Sequence, residues 1–311
     1  MPSDMLDATF VADATAAFDD TPATGPYTMA MGNNAIFVSM PDMNPDYMTI
    51  VNRIRGMVTD GSAASYLPAD LASDPAMVAG YKEQLTAIAD LLANSDAPSL
   101  ESAFATGTSV RAIDLHPLSR GTVRLDLTNQ LEQPILDYRT GSNPADFDIY
   151  LAHVKYLRGM IGTTTMQAYG TVEASPGAAV TSDEDLIAFM KNDMVFSYMH
   201  PCCTAAMLPK TKGGVVGPDL KVHGAAGLRV VDMSILPMLP SSHLSQTAYA
   251  VGEKVSRTNP DPAPVRVIAN RARLPISSST AGEAQSADNR FSKVPAQSGL
   301  EGRVFGGRGF A

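Results

Sequence analysis

Residues 200–254 read H-P-C-C-T-A-A-M-L-P-K-T-K-G-G-V-V-G-P-D-L-K-V-H-G-A-A-G-L-R-V-V-D-M-S-I-L-P-M-L-P-S-S-H-L-S-Q-T-A-Y-A-V-G-E-K. His200 and His243 stand at the two ends of this glycine-bounded unit. Between them, Gly224-Ala225-Ala226-Gly227 reads as a turn feeding an apolar run, Leu228-Arg229-Val230-Val231, that ends at Asp232. The pattern predicts a buried parallel strand. In open α/β sheets ligands gather beyond the carboxyl ends of strands. The next helix is expected over 245–257, directly after His243, and the first amides of a helix favour an anionic ligand. The order of elements therefore aims two imidazoles and one helix N-terminus at a common ligand.

Upstream, Ala35-Ile36-Phe37-Val38 is a β-prone run. Tyr81, Leu85, Ile88, Leu91 and Leu92 recur at helical spacing over 80–94. Val123, Leu125 and Leu127 alternate with Arg124 and Asp126, and a second short run, Ile135-Leu136-Asp137-Tyr138, follows, so the two are expected to pair antiparallel. Asn143 and Pro144 mark the start of a helix over 145–161. Thr181 or Ser182, followed by acids, caps another helix over 181–196. Residues 1–26 read as a flexible segment, a loop with one helical turn in it. Residues 259–311, rich in Ser, Ala, Gly, Pro and Arg, read as a disordered tail.

Composition narrows the field. A net charge of −9 over 311 residues argues against a nucleic acid partner, which needs clustered cations. No apolar run reaches transmembrane length, and the first residues do not read as a signal peptide. The only cysteines are the neighbours Cys202 and Cys203. They are expected to stay unbridged, and with His200 they lack the spacing of a metal site, so no metal is expected. His116, His153 and His223 are expected to be structural.

With these residues in view, the chain resembles the glucose–methanol–choline (GMC) family of FAD-dependent oxidoreductases. The resemblance rests on His200 with the small-residue run to Met207, on Gly213-Gly214-Val215-Val216, and on Gly227-Leu228-Arg229-Val230-Val231-Asp232. It continues through His243 and the helix holding Glu253-Lys254, and upstream through His116-Pro117-Leu118-Ser119-Arg120-Gly121, Asp137-Tyr138 and Asn143-Pro144. It spans roughly residues 20–258 and closely resembles fungal members related to aryl-alcohol and glucose oxidases.

The resemblance implies an α+β fold. An antiparallel-sheet substrate domain with flanking helices would occupy 27–195. The C-terminal edge of an FAD-binding α/β domain, with the histidine pair, would occupy 196–258. It implies oxidation of a CH–OH donor, with the hydride passing to FAD and His200 accepting the hydroxyl proton. His243 would bond the substrate oxygen. Asp232, Met233, Leu244 and Ser245 would contact the FAD, and Lys221 and Val222 match a position tied to oxygen access. The partners implied are a small alcohol and oxygen or another electron acceptor. No G-x-G-x-x-G follows a strand, so the family's N-terminal Rossmann core is expected to be missing from this chain. Without that core the chain alone is expected to be inactive. The alternative is a truncated remnant, or a binding module that pairs with a separate N-terminal half.

Overall fold

A computed structural model describes residues 7–28, 34–104, 110–195 and 197–258. Along the chain run α1 (Ala8–Asp19), β1 (Asn34–Ser39), α2 (Met40–Met43), α3 (Tyr47–Thr59), α4 (Ala69–Ala72) and α5 (Pro75–Leu92). Then follow β2 (Pro98–Phe104), β3 (Ile113–Asp114), β4 (Thr122–Arg124) and β5 (Ile135–Asp137). The chain continues with α6 (Ala145–Ile161), α7 (Thr164–Gln167), α8 (Asp183–Asp193) and α9 (Leu244–Thr258). The architecture is α+β, with two small antiparallel sheets among helices. One sheet has the order β1-β2-β3, and β4 pairs with β5 in the other.

Helices α3, α5 and α6 form the main core. Ile50, Val51, Ile54 and Met57 from α3 meet Tyr81, Leu85, Ile88 and Leu92 from α5, with Ile149 of α6 and Leu118 alongside. Leu85 is fully buried, so truncating it to alanine costs about 2–5 kcal/mol. The Asp74 carboxylate caps α5 and Pro75 opens it, so the helix begins five residues before its apolar period becomes legible. Gly80 lets the chain at Lys212 lie against α5, because a Cβ there would stand 2.3 Å from the Lys212 carbonyl oxygen. This packing ties the segment after His200 to the helical core.

The turn His116-Pro117-Leu118-Ser119 is locked from below. The buried Asp146 carboxylate accepts from the Leu118 amide at 2.6 Å and from the Ser119 amide at 3.1 Å. Tyr81 Oη donates to the Leu118 carbonyl at 2.9 Å.

Three expectations need correction. First, residues 8–19 form a twelve-residue helix capped by Asp7, not a loop with one turn; its alanines supply the propensity. Second, Leu228–Val231 is not a buried parallel strand. It turns back on the preceding segment, with isolated antiparallel contact between Lys221 and Arg229 and half-exposed side chains. Gly224 and Gly227, at φ 80° and 69°, close that reversal, and no strand among the described residues lies parallel to it. Third, Cys202 and Cys203 are joined as a disulfide. Neighbours on an extended chain point to opposite sides, but Cys203 at φ 74° reverses the chain and brings the two side chains together. The tail 259–311 lies outside the described residues.

Candidate active site

His200 follows a tight turn, Ser197–Met199, whose three residues all take left-handed φ values of 51°, 47° and 62°. Such backbone costs roughly 1–2 kcal/mol per non-glycine residue, and strain of this kind concentrates at functional sites. The turn closes through the His200 amide on the Ser197 carbonyl at 2.9 Å. His243 immediately precedes α9. Its loop is pinned twice: Gln84 Nε2 donates to the Pro237 carbonyl at 2.7 Å, and His116 Nε2 lies 2.9 Å from Ser241 Oγ.

These two supports bring the imidazoles edge-to-face, with ring centroids 4.7 Å apart. The Tyr198 ring completes the cluster, 6.4 Å from His200 and 6.2 Å from His243.

Glu101 on β2 is the third polar member, and no sequence pattern marks it. It is 3% exposed, and its two oxygens lie 2.5 and 2.6 Å from His243 Nδ1. A carboxylate there draws the ring proton to Nδ1, leaving Nε2 for a ligand. His200 is held below the ordinary histidine value, first by partial burial and then by the positive charge of its neighbour His243; Glu101 works weakly in the other direction.

Beside the pair is an open hollow of about 230 Å³, lined by Met199, His200, Pro201, Met233, Leu244, Ser245 and Ala248. Three of the four expected cofactor contacts, Met233, Leu244 and Ser245, therefore share one wall with His200. The fourth does not. The Asp232 side chain accepts from the Ser234 amide at 2.8 Å and caps the turn Met233–Ile235. It shapes the wall without lining it. The N-terminus of the fifteen-residue α9 opens at the hollow, and a helix offers its first amides there without intrahelical partners. The hollow thus suits a flat, mostly apolar group with a polar or anionic edge.

The remaining histidines are set apart. His116 and His153 are 2% and 1% exposed. Burial lowers them to about 4 and about 3, so both are neutral at pH 7. His223 Nε2 lies 3.1 Å from the Leu208 carbonyl. Among the described residues, no group of three His, Cys, Asp or Glu gathers in metal-binding geometry, and no helix is long and apolar enough to cross a membrane.

Residues 117–252 match the GMC oxidoreductase family in its C-terminal domain. The dehydrogenase xptC of Emericella nidulans is 35% identical over 62% of this chain and 31% of its own length. Pyranose dehydrogenase of Agaricus campestris is 35% identical over 46% of this chain and 24% of its own. Among solved structures, a fungal aryl-alcohol oxidase superposes with a TM-score of 0.75 at 58% identity, covering 83% of this chain and 43% of that one. An FAD-dependent oxidoreductase from Chaetomium thermophilum gives 0.75 at 36% identity, covering 81% and 43%. The chain spans a third or less of these curated relatives and under half of the solved structures. Over residues 117–252 the chain matches the GMC oxidoreductases, and as a whole it is similar to the C-terminal part of their fold.

Proposed function

We propose that the His200–His243 centre serves oxidation of an alcohol CH–OH group, with FAD as the cofactor. The observation that carries the proposal is the convergence of the two imidazoles, 4.7 Å apart, on the rim of a hollow walled by Met233, Leu244 and Ser245. The fit to a flavin ring is chemical: apolar walls for its faces, and the α9 amides for an edge that gains negative charge. When bound, the flavin supplies the two-electron oxidant.

The chain's own residues handle the proton and the oxygen. His200, held below the usual histidine value, is neutral at pH 7 and accepts the hydroxyl proton. His243, anchored through Nδ1 by Glu101, meets the substrate oxygen through Nε2. Tyr198 offers a ring face to an aromatic substrate. The sequence kinship with an aryl-alcohol oxidase supports an aryl alcohol as the donor. The electron acceptor is oxygen or a second carrier.

A second reading has its own support. Leu125, Leu127, Leu131 and Ile135 around β4–β5 are 52%, 80%, 98% and 55% exposed. Apolar exposure on this scale marks a surface that another polypeptide covers, as in a module that pairs with a separate N-terminal half.

The test is the visible spectrum of the purified chain with added FAD, followed by benzyl alcohol without oxygen. Protein-bound flavin that bleaches supports the catalytic reading. Flavin that binds and stays oxidised contradicts it. A chain that retains no flavin favours the pairing module.

A further inference from the structure

The described arginines are mostly committed. Arg53, Arg55, Arg124 and Arg158 each pair with a carboxylate. Arg120 is buried against Gln84 and backbone carbonyls. Arg111 is exposed and meets no carboxylate among the described residues. Its contacts are instead with the histidine centre. The guanidinium carbon stands 5.9 Å from the centroid of the Tyr198 ring, and Nη1 donates to Tyr198 Oη at 3.5 Å. Tyr198 in turn packs against both imidazoles, and it is held there by three consecutive left-handed residues. The nearby acid, Glu101, has both oxygens on His243 and does not neutralise Arg111.

A guanidinium that stands over a ring and makes one long hydrogen bond keeps most of its five donors free, in the planar fork that matches a carboxylate. From this placement we infer that Arg111 and Tyr198 form an anion-recognising rim on the His200–His243 site, selecting aromatic alcohols that carry a carboxylate on the far side of the ring. The aromatic body lies against Tyr198, the carbinol faces the imidazoles and the carboxylate meets Arg111. The inference rests on the alcohol reading of the same centre, but its test needs no turnover.

The test is direct binding to the chain, by saturation-transfer NMR or equilibrium dialysis, of two probes: 4-(hydroxymethyl)benzoate and benzyl alcohol. The expected result is that the carboxylated probe binds at least about tenfold tighter, as one charge-assisted fork provides. Arg111→Gln brings the two affinities within about twofold of each other, and Arg111→Lys retains part of the preference. Arg111 is exposed, and far-UV circular dichroism checks that each variant folds. Equal binding of the two probes, binding of neither, or a preference that survives in Arg111→Gln overturns the inference. If the preference holds while bound flavin stays unreduced by either alcohol, the redox reading fails and the anion rim stands.

Discussion

Two histidine pairs stand in this fold, and strand β2 touches a member of each. Ser99 Oγ lies 3.3 Å from His153 Nε2, and Glu101, two residues on, holds His243. The first pair, His116 and His153, is almost wholly buried, without a carboxylate on either ring. The second, His200 and His243, is half exposed beside a hollow and has Glu101. Burial without a counter-charge removes the proton and leaves a polar spacer. Partial burial beside an open hollow leaves the second pair within reach of a ligand, with Glu101 anchoring one ring. The same residue type thus serves packing in one place and, under the function proposed above, proton handling in the other, and the surroundings decide which.

The contrast can be broken at either end. In a flavin-loaded form, His200→Ala should slow alcohol-dependent flavin reduction by roughly 10²–10⁴, the usual worth of a general base, while the urea midpoint stays unmoved. His153→Ala should do the opposite at the buried pair. It should cost about 2–4 kcal/mol of folding stability, read from the same urea titration. Glu101→Gln keeps the shape and removes the charge. Flavin reduction should fall by roughly 10- to 100-fold, the value of one hydrogen bond to a charged group.

The smallest effect is in the pH dependence of stability. His116 and His153 are lowered in the folded chain to about 4 and about 3, so the unfolded chain binds two protons more as pH falls below about 6.5. Stability is therefore lost on the acid side. Asp114 is pushed up to about 8 by burial and by the Asp146 charge. The folded chain then holds a proton that the unfolded chain has released above about 4, and that contribution fades as pH rises to about 8. From pH 4 to 6.5 two histidines outweigh one acid and stability climbs. Above about 6.5 the acid alone remains and stability declines. These three groups place the maximum near pH 6.5, to be read from urea midpoints at stepped pH, and His153→Leu should flatten the acid limb.

Much of this was legible in the sequence where the signal is local. The run 35–38 lies in β1, the pair 122–124 and 135–137 forms antiparallel, and Ser182 caps α8. The helix after His243 is where its spacing placed it. What escaped depends on distant partners. Strand β2 reads Pro98-Ser99-Leu100-Glu101-Ser102, with no alternation, because it sits between β1 and β3 and is buried on both faces. A buried acid surrounded by serines has no signature until its partner, 142 residues away, is known. Val123, Leu125 and Leu127 alternate as a half-buried strand should, yet they are 47%, 52% and 80% exposed. Periodicity reports which face is apolar and leaves open what covers it. The parallel strand expected at Leu228–Val231 failed for a related reason: an apolar run carries no information about the direction of its neighbour.

Convergence of His200 and His243 is the claim on which the rest depends. The direct measurement is a histidine-selective NMR titration of the chain, with and without His243→Ala. The account predicts that His200 titrates below the free-histidine value and moves upward when His243 is removed, because its neighbour's charge is one of the forces holding it down. His116 and His153 should stay neutral to about pH 4. A His200 titration unchanged by the loss of His243 would mean that the two rings do not meet.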